Sequence, residues 1–229
     1  MPVFPYFATP IYTNDAFQTK YYNDIQSELM DVYEKTEFEK LEGRPDTSHS
    51  TSPSAFTNNI LKKYKCKHFL KFLHQELETY ISTIQINNNQ TIMEYIIDSA
   101  WLTKTVKGEH ALQHTHGQSD VSGVYYLQTN GEDGNIFFED PNSSKVGNPI
   151  MDLTVNSTCN ELPLQQGLIH MWPGFMAHGT RHNETDHERL SLSFNIVFAR
   201  RGLKIKENVD QSNQAIAVRH PGWGKFKCY

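Results

Sequence analysis

Two histidines two positions apart, His114 and His116, stand in the stretch HTHGQSDVSGVYYL, directly ahead of an apolar run. On an extended backbone residues i and i+2 share a face, roughly 6–7 Å apart along the chain. Both imidazoles can therefore reach one point, and convergent neutral imidazoles are ligands for a transition-metal ion. The chain holds 11 histidines, so the pair alone also reads as an exposed edge. A second chemical pattern lies in RLSLSFNIVF. Leu190, Leu192, Phe194 and Ile196 alternate with Arg189, Ser191, Ser193 and Asn195. An alternating strand ordinarily shows its polar face to water. In an enclosing barrel the same face points inward, and Arg189 with Ser191 could grip one carboxylate, the guanidinium as a fork and the hydroxyl beside it.

The elements that must position these groups fall into two textures. Phe17 to Leu41 carries Phe17, Tyr21, Ile25, Leu29 and Val32 at helical spacing behind a TND cap cluster. Asn58 to Ile84 repeats the pattern and predicts a second long helix. Between them the polar stretch Gly43 to Ser54 reads as a loop placed to act as a lid. From Ile92 onward short apolar or alternating runs recur: IMEYIIDSAWLTKTV, VSGVYYLQT, NIFFED, IMDLTV, LIHMWP and RLSLSFNIVF, punctuated by Gly, Pro and Asn. That is the pattern of an all-β barrel or sandwich. The expectation is a mainly β protein with N-terminal helices, one domain over 1–229. Its parts are a helical portion (1–90), a β core (91–201) and a tail (202–229) that packs back on the sandwich, covers its mouth or meets a second subunit in a homodimer.

Composition narrows the function classes. The 229 residues carry a formal net charge of -5 and no long basic run, so no nucleic-acid partner is expected. No apolar run approaches a membrane span, and the N-terminus has no signal-peptide pattern. Cys66, Cys159 and Cys228 are scattered and odd in number, which fits reduced thiols in a cytoplasm.

Taken together, KGEHALQHTH, SGVYYL, GEDGNIFFEDP, AHGTRHNETDHER and RLS, in that order, resemble the iron(II)- and 2-oxoglutarate-dependent oxygenases. The likeness is to the prolyl-4-hydroxylase-like branch and its small bacterial and phage group. FPYFATPIY is similar to the opening strand of that group, so the resemblance spans nearly the whole chain. It implies a double-stranded β-helix (jelly roll) with helices packed outside, a mononuclear iron(II) site and 2-oxoglutarate as co-substrate. It further implies a cytoplasmic dioxygenase that uses O2, releases succinate and CO2, and hydroxylates a protein side chain or a small molecule; for a phage protein the cytoplasm would be that of an infected host. His114 and His178 match the family's two histidine ligands, and Arg189 with Ser191 its co-substrate clamp.

One departure is plain. The family's first pair is His-x-carboxylate, and here His116 stands in the carboxylate position. Either His116 is the third ligand, the preferred reading, or Asp120 folds back at Gly117 to supply a carboxylate. Free imidazoles protonate near pH 6–7, so metal occupancy is expected to fall in mild acid. Around the site, Tyr126 or another tyrosine is a candidate for the co-substrate pocket and Asn195 for a hydrogen bond inside it. Trp101, Tyr125, Phe137 and Trp172 read as core. His170 reads as buried, and His110, His182 and His187 as solvated. Two other functional classes stay open, a cupin-like three-histidine metalloenzyme without 2-oxoglutarate and an inactive binding module. Arg189-x-Ser191 speaks against the first, since a cupin has no use for the pair.

Overall fold

The computed structural model describes residues 9–40, 50–52, 59–84, 92–141, 159–200 and 216–219. Eleven strands and three helices are assigned among them: β1 (Tyr12–Asp15), α1 (Tyr22–Glu34), β2 (Glu39–Lys40), β3 (Ser50–Thr51), α2 (Ile60–Lys63), α3 (Lys67–Thr83), β4 (Ile92–Thr105), β5 (Val121–Gln128), β6 (Ile136–Glu139), β7 (Cys159–Leu162), β8 (Leu168–Pro173), β9 (His178–Thr180), β10 (Arg189–Arg200) and β11 (Ile216–Arg219). The larger sheet runs β1-β8-β5-β10-β4-β3-β2, with β11 also on β4; the smaller runs β7-β6-β9. All pairings are antiparallel.

The alternation in β10 decides where everything else sits. Leu190, Leu192, Phe194 and Ile196 are buried in one cluster with Tyr125 and Leu127 of β5, Ile169 and Met171 of β8, and Phe69, Phe72 and Leu73 of α3. Phe69 meets Tyr125 and Phe194 edge-on, with ring centroids 5.4 and 6.2 Å away. The helices thus cover the outer face of the large sheet, each fully buried Leu or Phe contributing about 1.5–3 kcal/mol. The opposite parity faces inward, where Val124, Tyr126, Ile136, Phe138, Leu164, Trp172 and Met176 form a second cluster between the sheets. Ser122 Oγ donates to Asn195 Oδ1 (2.9 Å) and Asn195 Nδ2 to Ser99 Oγ (3.0 Å), a polar seam across β5, β10 and β4.

Three expectations need correction. The first helix is shorter than Phe17 to Leu41. Ala16–Gln18 is a 3-10 turn capped by Asp15, and Phe17 lies 61% exposed against Tyr22 rather than in the core. The second helix is broken. Lys65 has φ of 52°, and α2 ends just before it while α3 starts just after. α3 has no side-chain cap from Cys66; Glu28 of α1 instead accepts from the His68 and Phe69 amides. Strand β7 was not expected, because CNEL has neither alternation nor an apolar run. The IMDLTV run, most of the Gly43–Ser54 loop and Cys228 lie outside the described residues.

Candidate metal centre

His114 and His178 meet in a two-residue antiparallel bridge between the loop before β5 and the start of β9. Each amide donates to the other's carbonyl, at 2.9 and 3.0 Å. His116 follows in a turn rather than on a strand. Its amide donates to Gly174 O (2.8 Å), and this approach requires glycine, since a Cβ at 174 would sit 2.7 Å from His116 O and collide with Ser119 O. The proline-glycine pair at the end of β8 signals a turn in the sequence, but not that the turn holds His116.

One nitrogen from each of His114, His116 and His178 lies within 4.8 Å of the others. The rings are oriented from behind. His114 Nδ1 donates to Leu112 O (2.7 Å) and His178 Nδ1 to Met176 O (2.9 Å). Both Nε2 atoms are therefore acceptors, in the way a metal-binding imidazole is fixed by a bond from its other nitrogen. His114 Nε2 and His116 Nε2 stand 3.1 Å apart. Two nitrogens each about 2.1 Å from one ion are separated by about 3 Å when adjacent in its coordination sphere. The donor set therefore fits a metal ion.

Burial moves the protonation of two of these groups to lower pH. It pushes His178 down to about 3, helped by His114, and His116 down to about 4. Both stay neutral well below the range where a free imidazole protonates. Asp120, the alternative ligand, is engaged elsewhere. Its carboxylate accepts from Phe198 N at 2.7 Å and its amide donates to Ile196 O at 2.9 Å.

Arg189 is 3% exposed, and Ser191 shares its inward face on β10 beside Tyr126 of β5. Burial pulls the guanidinium's proton affinity down, with Tyr126 and Asp133 opposing. Nη1 donates to the carbonyls of Asp133 and Gly134; Nη2 donates to the hydroxyls of Thr105 (3.3 Å) and Thr180 (3.2 Å). Sequence reasoning missed Thr105, Thr180 and the Asp133–Gly134 turn, since nothing local ties them to an arginine so far along the chain. The Asn195 amide bonds a serine at each end, which ties it into the strand seam. Trp101 is half-buried and stacks on His116 at 5.9 Å, not in the core. Tyr125 does lie in the outer core, and His170 is fully buried. His110 stacks on His182 at 3.9 Å, outside the triad. His187 is not merely solvated: its Nδ1 donates to the buried Asp133 carboxylate at 3.0 Å.

Residues 99–195, which hold the triad, Arg189 and the strands between, match the family model described as "Putative 2OG-Fe(II) oxygenase". Over that stretch the chain is similar to the 2OG-Fe(II) oxygenases. No curated protein sequence matches it. Among solved structures it is similar to a prolyl-4-hydroxylase from Pseudomonas putida (12% identity, 85% of this chain and 94% of that one, TM-score 0.54). It is also similar to HygX from Streptomyces hygroscopicus, crystallised with nickel, 2-oxoglutarate and hygromycin B (12%, 82% and 83%, 0.53). A third is a prolyl hydroxylase from Trichoplax adhaerens in complex with a hypoxia inducible factor oxygen degradation domain peptide fragment (9%, 82% and 83%, 0.54). At these identities the likeness shows the fold, a double-stranded β-helix. By its description that family uses iron(II) and 2-oxoglutarate, and the three histidines here fit the metal. Among the described residues no helix is long and apolar enough to cross a membrane.

Proposed function

We propose that this protein is a 2-oxoglutarate- and iron(II)-dependent oxygenase, a hydroxylase acting on a protein side chain or a small molecule in the cytoplasm, with release of succinate and CO2. His114, His116 and His178 would hold the iron, and Arg189 with Ser191 the far carboxylate of 2-oxoglutarate. The observation that carries the reading is the convergence of three imidazole nitrogens within 4.8 Å of one another, together with a buried arginine on the inward face of β10. Bound iron(II), with 2-oxoglutarate and O2, supplies the oxidising chemistry. The chain's own residues do the rest. The Leu112 and Met176 carbonyls keep the His114 and His178 ε nitrogens free for the metal. Arg189 and Ser191 orient the co-substrate by charge and hydrogen bond. Phe138, Trp172 and Met176 exclude water from the space between the sheets. Structures of similar fold were crystallised with a peptide fragment and with hygromycin B, so both a protein side chain and a small molecule are kept as substrate classes.

The test is anaerobic reconstitution with iron(II), with and without 2-oxoglutarate, followed through the metal-to-ligand charge-transfer band. The band is expected with 2-oxoglutarate only. Arg189→Ala should keep its metal and lose about 2–5 kcal/mol of 2-oxoglutarate binding, roughly thirtyfold to several thousandfold. Metal binding without any band, or equal affinity in Arg189→Ala, returns the site to the cupin-like class.

A further inference from the structure

Arg189 is held from behind by a clasp built from residues outside the metal triad. Both Nη1 hydrogens go to consecutive carbonyls, Asp133 O (2.7 Å) and Gly134 O, in the turn between β5 and β6. Main-chain carbonyls point where their turn directs them, so the shape of this turn sets the angle of the guanidinium. Gly134 has φ of +99°, and a Cβ there would collide with the Arg181 carbonyl and come within 3.0 Å of Arg189 Nη1. The turn is in turn shaped by the Asp133 side chain, which is 0% exposed. It accepts from Thr129 Oγ1, from the Asn130 amide (3.0 Å) and from His187 Nδ1 (3.0 Å). His187 lies two residues before Arg189, so one carboxylate ties the turn that offers the carbonyls to the strand that carries the arginine.

The remaining Nη2 contacts differ in kind. Threonine hydroxyls at 3.2–3.3 Å are long, weak partners that a carboxylate displaces readily. The clasp thus fixes one edge of the guanidinium and leaves the Nη2/Nε edge for a ligand. On the reading that Arg189 takes the far carboxylate of 2-oxoglutarate, we infer that Asp133 and His187 are positioning residues that set how strongly the site prefers a two-armed 2-oxo acid over a chelator without the second arm.

Calorimetry on manganese-loaded protein with two probes tests this. 2-Oxoglutarate reaches both metal and Arg189; oxalate chelates the metal and has no far carboxylate. In His187→Ala and Asp133→Asn, 2-oxoglutarate affinity should fall about tenfold or more, as for other groups that orient a binding residue. Oxalate affinity and manganese content should stay at wild-type values, which a general loss of structure would not allow. His187→Asn, which keeps a side-chain N–H donor, should recover part of the loss. Half-exposed His187 gives a variant expected to fold even if Asp133→Asn does not. Equal weakening of both probes, or unchanged 2-oxoglutarate binding in His187→Ala, overturns the inference alone. A wild-type protein that binds 2-oxoglutarate only through the metal, with Arg189→Ala indistinguishable from it, overturns the co-substrate reading beneath it.

Discussion

His116 brings an uncharged imidazole to the third position of the proposed metal centre. A carboxylate there would lower the net charge of the centre by one unit. Three neutral ligands leave the centre more positive, which suits an anionic co-substrate and also lets zinc or copper compete for the nitrogens. If the three histidines hold one ion, His114→Ala, His116→Ala and His178→Ala should each lower bound iron steeply in a metal assay. Asp120→Ala should keep its iron and instead lose the charged acceptor of the Phe198 amide, about 1.5–3 kcal/mol of stability. Iron retained by His116→Ala and lost by Asp120→Ala would reverse the choice of third ligand.

The helices act on the site only through the sheet they cover. α3 carries Phe69, Phe72 and Leu73 against the outer face of the strands whose inner face holds Tyr126, Arg189 and Ser191. Its first turn leaves amides without helical partners, and Glu28 reaches across from α1 to accept from those of His68 and Phe69, at 3.1 and 2.9 Å. A carboxylate at that end also meets the positive pole of the helix. Glu28→Ala should therefore cost about 1–2 kcal/mol. Urea unfolding should show a lower midpoint with an unchanged slope, and metal content should be untouched. A midpoint equal to wild type would mean that water caps α3 as well as Glu28 does.

Across the whole molecule, closing two sheets on each other buries a histidine that no ligand uses. His170 is 0% exposed, with Thr13 Oγ1 2.9 Å from Nδ1; Nε2 has no hydrogen-bond partner among the described residues. Burial pushes it from 6.5 down to about 4. As pH falls, the unfolded chain takes up this proton before the folded one does. Stability from this group is therefore complete above about 6.5 and drains away as pH falls to about 4, by about 3 kcal/mol in all. Urea midpoints at pH 7, 5.5 and 4.5 should fall less steeply for His170→Gln than for wild type. Parallel curves would show that another group carries the acid sensitivity.

The sequence alone determined the two faces of β10, because a period of two can satisfy only a sheet with distinct sides. It also put Arg189 and Ser191 on one face and His114 beside His116 by covalent proximity, but whether that face met water or the interior was decided by the packed sheets. Helix ends were poorly legible. The break at Lys65 and the exposure of Phe17 depend on which neighbour covers each turn, and apolar spacing does not encode that. Only the tertiary structure decided which distant groups meet. The bridge between His114 and His178, the engagement of Asp120 by Phe198 rather than by the triad, and the Asp133–His187 clasp on Arg189 all depend on strand register between segments far apart in the chain. Register is fixed by the packing of many side chains at once. A local pattern can therefore name the chemical groups of a site, but the packed sheets select which of them converge.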